Sequence, residues 1–174
     1  MPLYLAEEDI DRLLTPELAL EAVEGSFRRM AEGVVENVPR RRLGRDGGML
    51  AVMSAADLGL GLAGVKTYAA GRGGANFVVV VFDASTDEPV AVIEADRLGQ
   101  YRTGAASGVA ARHLAREGAT TLGVFGAGLQ AEMQIRAVRA ALPGIEQVET
   151  ELTWDPPWTP EKMSDDAKFI LGFG

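Results

Sequence analysis

The chain has 174 residues, 47% hydrophobic and 24% charged, which is the composition of an ordinary globular protein with room for one domain and part of another. A net charge of −8 opposes nonspecific binding to nucleic acid or to anionic lipid, so a small-molecule ligand is the expected partner. With no cysteine and one histidine, His113, the chain offers neither thiol chemistry nor a cysteine- or histidine-rich metal site, and no metal is expected.

Near the N-terminus a short helix is expected over Glu7 to Leu14. A second begins at Thr15-Pro16-Glu17, where a hydroxyl cap, a first-turn proline and an acid stand in helix-starting order. Leu20, Val23, Phe27 and Met30 continue it at spacings of three and four, and Gly33 supplies its stop. From Pro39 to Glu94 short apolar or alternating runs predict strands at Gly48–Met53, Leu62–Ala69, Phe77–Asp83 and Pro89–Glu94. Asp83 to Glu88 reads as a hairpin connection. Gly71-Arg72-Gly73-Gly74 reads as a loop of the kind that often lies beside a ligand.

Helix returns over Thr103 to Glu117, with Ala106, Val109, Ala110 and Leu114 along one side and His113 turned to solvent. Arg102-Thr103 just ahead of it combines a guanidinium, a hydroxyl and a helix N-terminus, an arrangement suited to an anion or to a capped surface helix. Thr120 to Phe125 then predicts a buried strand that runs into Gly126-Ala127-Gly128-Leu129-Gln130-Ala131. A helix from Gln130 to Ala141, stopped by Pro143-Gly144, follows. Strand, glycine turn and helix in that order open a dinucleotide-binding unit. In it Gly126 permits the turn, Gly128 admits a pyrophosphate, and Ala131 keeps the helix close to the sheet. The ribose-binding acid that usually follows would be Glu149, Glu151 or Asp155, which leaves NAD and NADP both open.

Two segments in particular, Tyr101-Arg102-Thr103-Gly104-Ala105-Ala106-Ser107 and Leu122-Gly123-Val124-Phe125-Gly126-Ala127-Gly128-Leu129-Gln130-Ala131, carry a more specific likeness. With Pro39-Arg40-Arg41, Gly48 to Met53, Gly64-Val65-Lys66-Thr67 and Val81-Phe82-Asp83 in order, the chain resembles the ornithine cyclodeaminase/mu-crystallin family over residues 3–148. The resemblance implies an α/β protein: a mixed α+β dimerisation and substrate domain over residues 1–118, then the first strand–turn–helix of a Rossmann-type NAD(P)-binding domain over residues 119–174. It implies a cytoplasmic homodimer using NAD or NADP on a small amino acid or cyclic imine. The chemistry would be hydride transfer, as in conversion of ornithine to proline and ammonia, or as in alanine dehydrogenases and ketimine reductases. By motif position Arg41 and Lys66 are implied at the substrate, with Lys66 the catalytic candidate, although spacing does not separate Arg41 from Arg40 or Arg42. Arg102 would serve both substrate and cofactor phosphates, with Thr103, Gly126, Gly128, Leu129 and Gln130 at the cofactor. Family members are much longer, and residues 151–174 do not read as the usual second strand and helix. The chain is therefore expected to be a fragment or a truncated form, with its part beyond residue 118 weakly ordered. The alternative to an enzyme is a non-catalytic small-molecule binder, or an inactive chain that only dimerises.

Overall fold

The computed structural model describes residues 1–145, 157 and 159–165. The order of elements is β1 (Leu3–Leu5), α1 (Glu7–Leu13), α2 (Pro16–Ala31), β2 (Val35–Arg45), β3 (Gly48–Asp57), β4 (Leu62–Gly71), β5 (Gly74–Asp83), β6 (Pro89–Glu94), α3 (Asp96–Leu114) and α4 (Ala131–Ala141). A single 3-10 turn at Pro160–Lys162 follows. The strands form one sheet in the order β1-β6-β5-β4-β3-β2. Strands β2 to β6 run as an antiparallel meander, and β1 joins β6 in parallel. The mixed α/β architecture expected from the sequence is the one observed.

The two N-terminal helices follow their sequence signals closely. Thr15 accepts a hydrogen bond from the Leu18 amide as the cap of α2. At the other end Gly33, at φ +77°, reverses the chain, and the amides of Gly33 and Val34 return to the carbonyls of Met30 and Arg29. That pair of bonds satisfies two of the helix's terminal carbonyls. The glycine run at residues 71–74 closes a hairpin. Gly71 pairs with Gly74 in register, so Arg72 and Gly73 form the two-residue tip of the β4–β5 hairpin, and all four residues are exposed.

Strand β2 was not expected, since Pro39 and three arginines lie in its middle. It forms because it is an edge strand, where a proline leaves no ladder bond unmade on the sheet side. Its register with β3 shifts by one residue between Val38 and Arg41, a bulge that absorbs the proline. The bulge also decides which arginine faces which way. Arg41 pairs with Val52 and then Thr67, whereas Lys66 pairs with Met53 and Val79. Residues opposite one another share a face and adjacent ones do not, so Arg41 and Lys66 lie on opposite faces.

Helices lie against the Lys66 face. Asp57 there binds Arg29 of α2, with Nε–carboxylate distances of 2.8 and 3.0 Å, and Ile93 packs against the helical core. The opposite face carries Val38, Val52, Val65, Val80, Phe82 and Leu50, with Val38 43% and Leu50 37% exposed. A groove of about 380 Å³ on that side is lined only by strand residues.

Helix α3 begins at Asp96, well before the expected Thr103. Its first two amides, of Asp96 and Arg97, donate to the Glu7 carboxylate at 2.7 and 2.9 Å. In return Glu94, just ahead of α3, accepts from the Glu7 amide at 3.0 Å and from the Tyr4 hydroxyl at 2.7 Å. The starts of α1 and α3 are thus tied to each other by two carboxylates distant in sequence. At its far end α3 meets α2 through Glu24, which accepts from Arg28, Arg112 and His113. These partners, Arg28 first, hold the Glu24 carboxyl at about 2 instead of its ordinary 4.5. His113 thus stays exposed on α3, as expected, and also reaches Glu24 with Nε2 at 3.2 Å.

Beyond α3 the expected strand at Thr120–Phe125 joins no sheet. No described strand lies beside it to satisfy its amides and carbonyls, and Phe125 is fully exposed. The helix after it nevertheless belongs to the core. Met133, Ala137, Val138 and Ala141 of α4 are buried, Met133 in one cluster with Leu20, Tyr101, Ala105 and Val109. The expected weak order past residue 118 therefore does not extend to α4, because α3 offers it a glycine seam. A Cβ built on Gly104 would lie 2.3 Å from the Met133 carbonyl oxygen, and one on Gly108 would lie 2.8 Å from that of Ala137. Two helices approach this closely only where one of them presents no side chain.

This seam yields a stability prediction. Gly104→Ala forces the two backbones apart and should cost about 1–3 kcal/mol, the usual range for overpacking. Gly123→Ala, where a Cβ meets nothing within 4 Å, should change stability by less than about 0.5 kcal/mol. Urea unfolding of both variants checks the difference; equal midpoints would mean that the helices do not touch as described.

Candidate functional site

The site grows from an aromatic pair on the helix-facing side of the sheet. Tyr68 of β4 and Phe77 of β5 sit opposite one another in register, with ring centroids 4.9 Å apart. Each ring carries a cation: the Lys66 ammonium lies 5.0 Å from the Phe77 centroid, and the Arg40 guanidinium 5.8 Å from that of Tyr68. Rings attract cations through their negative faces while offering no hydrogen-bond acceptor. The donors of Lys66 and Arg40 therefore stay available to a ligand.

Helix α3 closes over this pair. Gly99 faces the lysine, with space for a Cβ only 3.7 Å from Nζ, so a larger residue there would crowd the amine. Burial lowers the Lys66 pKa, and repulsion from Arg102 and then Arg40 lowers it further, against attraction from Asp96. A lysine held this way gives up its proton more readily than one in water. Asp96 is fixed in turn by Gln100, whose amide donates to it at 3.4 Å, and Gln100 accepts from Arg97 at 2.7 Å.

The structure thus places Arg102, Arg40 and Asp96 near enough to Lys66 to act on its charge. It leaves Arg41 on the far face. The β2 bulge hides this choice from simple alternation, and only the presence of three consecutive arginines signalled that one of them was wanted. Asp96 carried a signal too, an acid in the first turn of a helix, but the helix was placed too late for that to be read.

Thr103 does not sit at a helix start. It lies inside α3, with its hydroxyl donating to the Gly99 carbonyl at 2.6 Å, so the anion site expected from a capped N-terminus at Arg102-Thr103 is not formed that way. Arg102 itself is exposed, on the second turn of the helix.

The glycine turn lies at the other side of α3, across the α3–α4 seam. Gly126 adopts φ +91°, a conformation that side chains resist, and nothing lies within 4 Å of a Cβ built on Gly126 or Gly128. Leu129 and Gln130 are exposed, and Gln130 precedes α4 without capping it by its side chain. The Ala131 amide is taken by the Gly128 carbonyl at 2.9 Å, so the amides that follow it in the first turn of α4 are the ones that could meet a pyrophosphate. Glu132 in that first turn is engaged by Arg136 at 2.7 Å. The three candidate ribose acids, Glu149, Glu151 and Asp155, lie outside the described residues. Among the described residues no cluster of acids and histidines suits a metal ion, and no helix is long and apolar enough to cross a membrane.

Comparison with known proteins places the chain in a family. The model of the ornithine cyclodeaminase/mu-crystallin family matches residues 2–163. The iminosuccinate reductase of Paracoccus denitrificans (strain Pd 1222) is 32% identical over 175 residues, covering 95% of this chain and 53% of that protein. An alanine dehydrogenase of Archaeoglobus fulgidus is 33% identical over 144 residues, covering 79% of this chain and 44% of the relative. A solved archaeal alanine dehydrogenase dimer with bound NAD superposes with a TM-score of 0.76 at 32% identity, over 82% of this chain and 46% of the other. The chain spans about half the length of the curated relatives it matches.

The electrostatics of Lys66 can be read directly. In an NMR titration of its side chain, Lys66 should titrate below the ordinary lysine range. Arg102→Ala should raise its pKa by removing a repulsion, and Asp96→Asn should lower it by removing an attraction. Movement of either variant in the other direction would break the described cluster.

Proposed function

Because the chain belongs to the ornithine cyclodeaminase/mu-crystallin family, we propose that it carries the substrate half, and the start of the cofactor half, of a nicotinamide-dependent oxidoreductase. Its substrate is a small amino acid or cyclic imine. The observation that carries this reading is the placement of Lys66 and Arg40 over the Tyr68–Phe77 pair, with Arg102 near enough on α3 to repel the Lys66 amine and help lower its pKa. A carboxylate is matched by a guanidinium fork and an ammonium together. Arg40, rather than Arg41, supplies the fork from β2, and Arg102 supplies a second from α3. Lys66 holds a proton at Nζ that it can pass to or take from the substrate nitrogen, because its lowered pKa brings the two protonation states closer at neutral pH.

The turn Gly126–Gln130 and the amides that follow Ala131 in the first turn of α4 take the pyrophosphate of NAD or NADP. When bound, the nicotinamide supplies the hydride acceptor or donor. The choice between the two dinucleotides lies with the ribose acid among Glu149, Glu151 and Asp155. A second copy of the chain covers the open valine-rich face of the sheet, in line with the dimeric archaeal relative.

Substitution at Arg102 separates this reading from a simple surface arginine. Arg102→Ala should weaken binding of a small carboxylate by about 1.5–3 kcal/mol, roughly ten-fold or more, while Arg116→Ala on the exposed segment after α3 should cost less than about 1 kcal/mol. Titration calorimetry with L-alanine or pyrroline-2-carboxylate measures both. Equal affinities would remove Arg102 from the site. Tight binding with no change in nicotinamide absorbance over a broad substrate panel would replace the enzyme by a non-catalytic binding protein.

A further inference from the structure

Among the described residues Gln100, near the start of α3, is the one polar side chain that is buried, at 4% exposed. A buried amide is costly unless both of its ends are bonded, and here both are. Its Oε1 accepts from Arg97 Nη1 at 2.7 Å, and its Nε2 donates to Asp96 Oδ2 at 3.4 Å. The neighbours allow no other orientation, because a guanidinium only donates and a carboxylate only accepts. Arg97 is itself anchored. Its Nε donates to Asp11 of α1 at 2.8 Å, its guanidinium lies 5.9 Å from the Tyr101 ring centroid, and Glu132 of α4 attracts it. A chain of polar contacts thus runs from α1 through Arg97 and Gln100 to Asp96.

At its far end lies the Lys66 amine. Gly99 and Gln100 follow Asp96 by three and four positions, so the three are neighbours along the helix. Lys66 approaches this turn at Gly99, where a Cβ would lie 3.7 Å from Nζ. Asp96 is the acid that attracts the amine there, while Arg102 and Arg40 repel it. The Asp96 side chain is exposed, and attraction between exposed charges is weak. Glu7 also works against it, since its carboxylate takes the amides of Asp96 and Arg97 at the same helix start and repels a second acid. A carboxylate between a like charge and open water stays beside the amine only if a donor keeps it there. That donor is Gln100.

We propose that Gln100 is a positioning residue: its buried amide, oriented by Arg97, holds the Asp96 carboxylate beside the Lys66 amine. This role rests on the reading of Lys66 as the group that exchanges a proton with the substrate nitrogen. Two arginines drive the proton off that amine and one acid retains it, so the place of the acid sets how readily Lys66 gives the proton up. Gln100 fixes that place without adding a charge of its own. An apolar side chain of the same length would fill the same space and leave Asp96 free to turn to solvent.

The test follows the Lys66 side chain by NMR pH titration of the chain as it stands, in Gln100→Met, Asp96→Asn and the double variant. Gln100→Met keeps the length of the side chain and removes its donor. It should lower the Lys66 pKa by about 0.5 pH unit, the scale of a unit charge moved a few ångströms away in a half-solvated site. Asp96→Asn should lower it at least as much, and the double variant no further than Asp96→Asn alone, since the glutamine acts through the acid. A merely structural role would lower the melting temperature of Gln100→Met and leave the Lys66 pKa in place; that result overturns the proposal, and so does a double variant whose two shifts add. Should Gln100→Met not fold, the unaltered side chain decides. The Gln100 Nε2 proton signals should move as Asp96 ionises and lose that movement in Asp96→Asn; signals indifferent to Asp96 overturn the proposal. L-Alanine added to the same samples separates this role from the reading beneath it. Lys66 Nζ signals that move with L-alanine, beside an unchanged pKa in Gln100→Met, leave the substrate site standing and remove Gln100 from it. Nζ signals that ignore L-alanine overturn the site, and the role of Gln100 with it.

Discussion

The contact on which the rest depends is the one between the backbones of α3 and α4 at Gly104 and Gly108. A methyl group at either position would meet a carbonyl oxygen of α4 at under 3 Å, so the helices can lie this close only because both positions are bare. The consequences run in both directions along α3. Toward its N-terminus, Arg102, Gly99 and Asp96 face the sheet cluster around Lys66. On the far side of the seam, Met133 and Ala137 bury against α3 and set the start of α4, and with it the glycine turn. One helix therefore holds the cationic cluster and the open turn in a fixed relation, which a reaction between a bound acid and a bound dinucleotide requires.

The sheet contributes by having two different sides. Its helix-facing side carries the aromatic pair and the cations, and its burial is enough to lower the Lys66 pKa. Its other side is valine-rich and half-exposed. The bulge in β2 is what sorts the arginines between them, sending Arg41 one way and Arg40 and Arg42 the other. The ties at the starts of α1 and α3 then fix α3 over the first side. Glu7 satisfies the leading amides of α3, and Glu94 satisfies the leading amide of α1. Each acid lies at the positive end of a helix dipole, where it is favoured as well as hydrogen-bonded.

Much of this was legible in the amino-acid order, for reasons that can be named. Thr15-Pro16 and Gly33 delimit α2 through local bonds, so local signals sufficed. The apolar runs of β4, β5 and β6 alternate or stand between turn residues, and Asp83 makes its own turn by accepting from Ser85 and Thr86. What was not legible came from distant partners. The start of α3 was placed at Thr103 because a hydroxyl after an arginine looks like a cap; the actual cap, Glu7, lies 89 residues from Asp96. Strand β2 was hidden by a proline that is tolerable only at a sheet edge, and edge position is a property of the whole sheet. The parity of Arg41 was hidden by the bulge. Lys66 was singled out by its motif position in the family resemblance, and its surroundings are supplied by residues from β2, β5 and α3.

Whether α3 and α4 form one cooperative unit is the point to measure first. Hydrogen exchange on the intact chain compares the amides of Tyr101–Val109 in α3 with those of Gln134–Ala141 in α4. If the glycine seam holds the two helices as described, both sets exchange with closely similar protection, since opening one requires opening the other. Amides of α4 exchanging orders of magnitude faster than those of α3 would show that α4 opens on its own, and the fixed relation between the cationic cluster and the glycine turn would be gone.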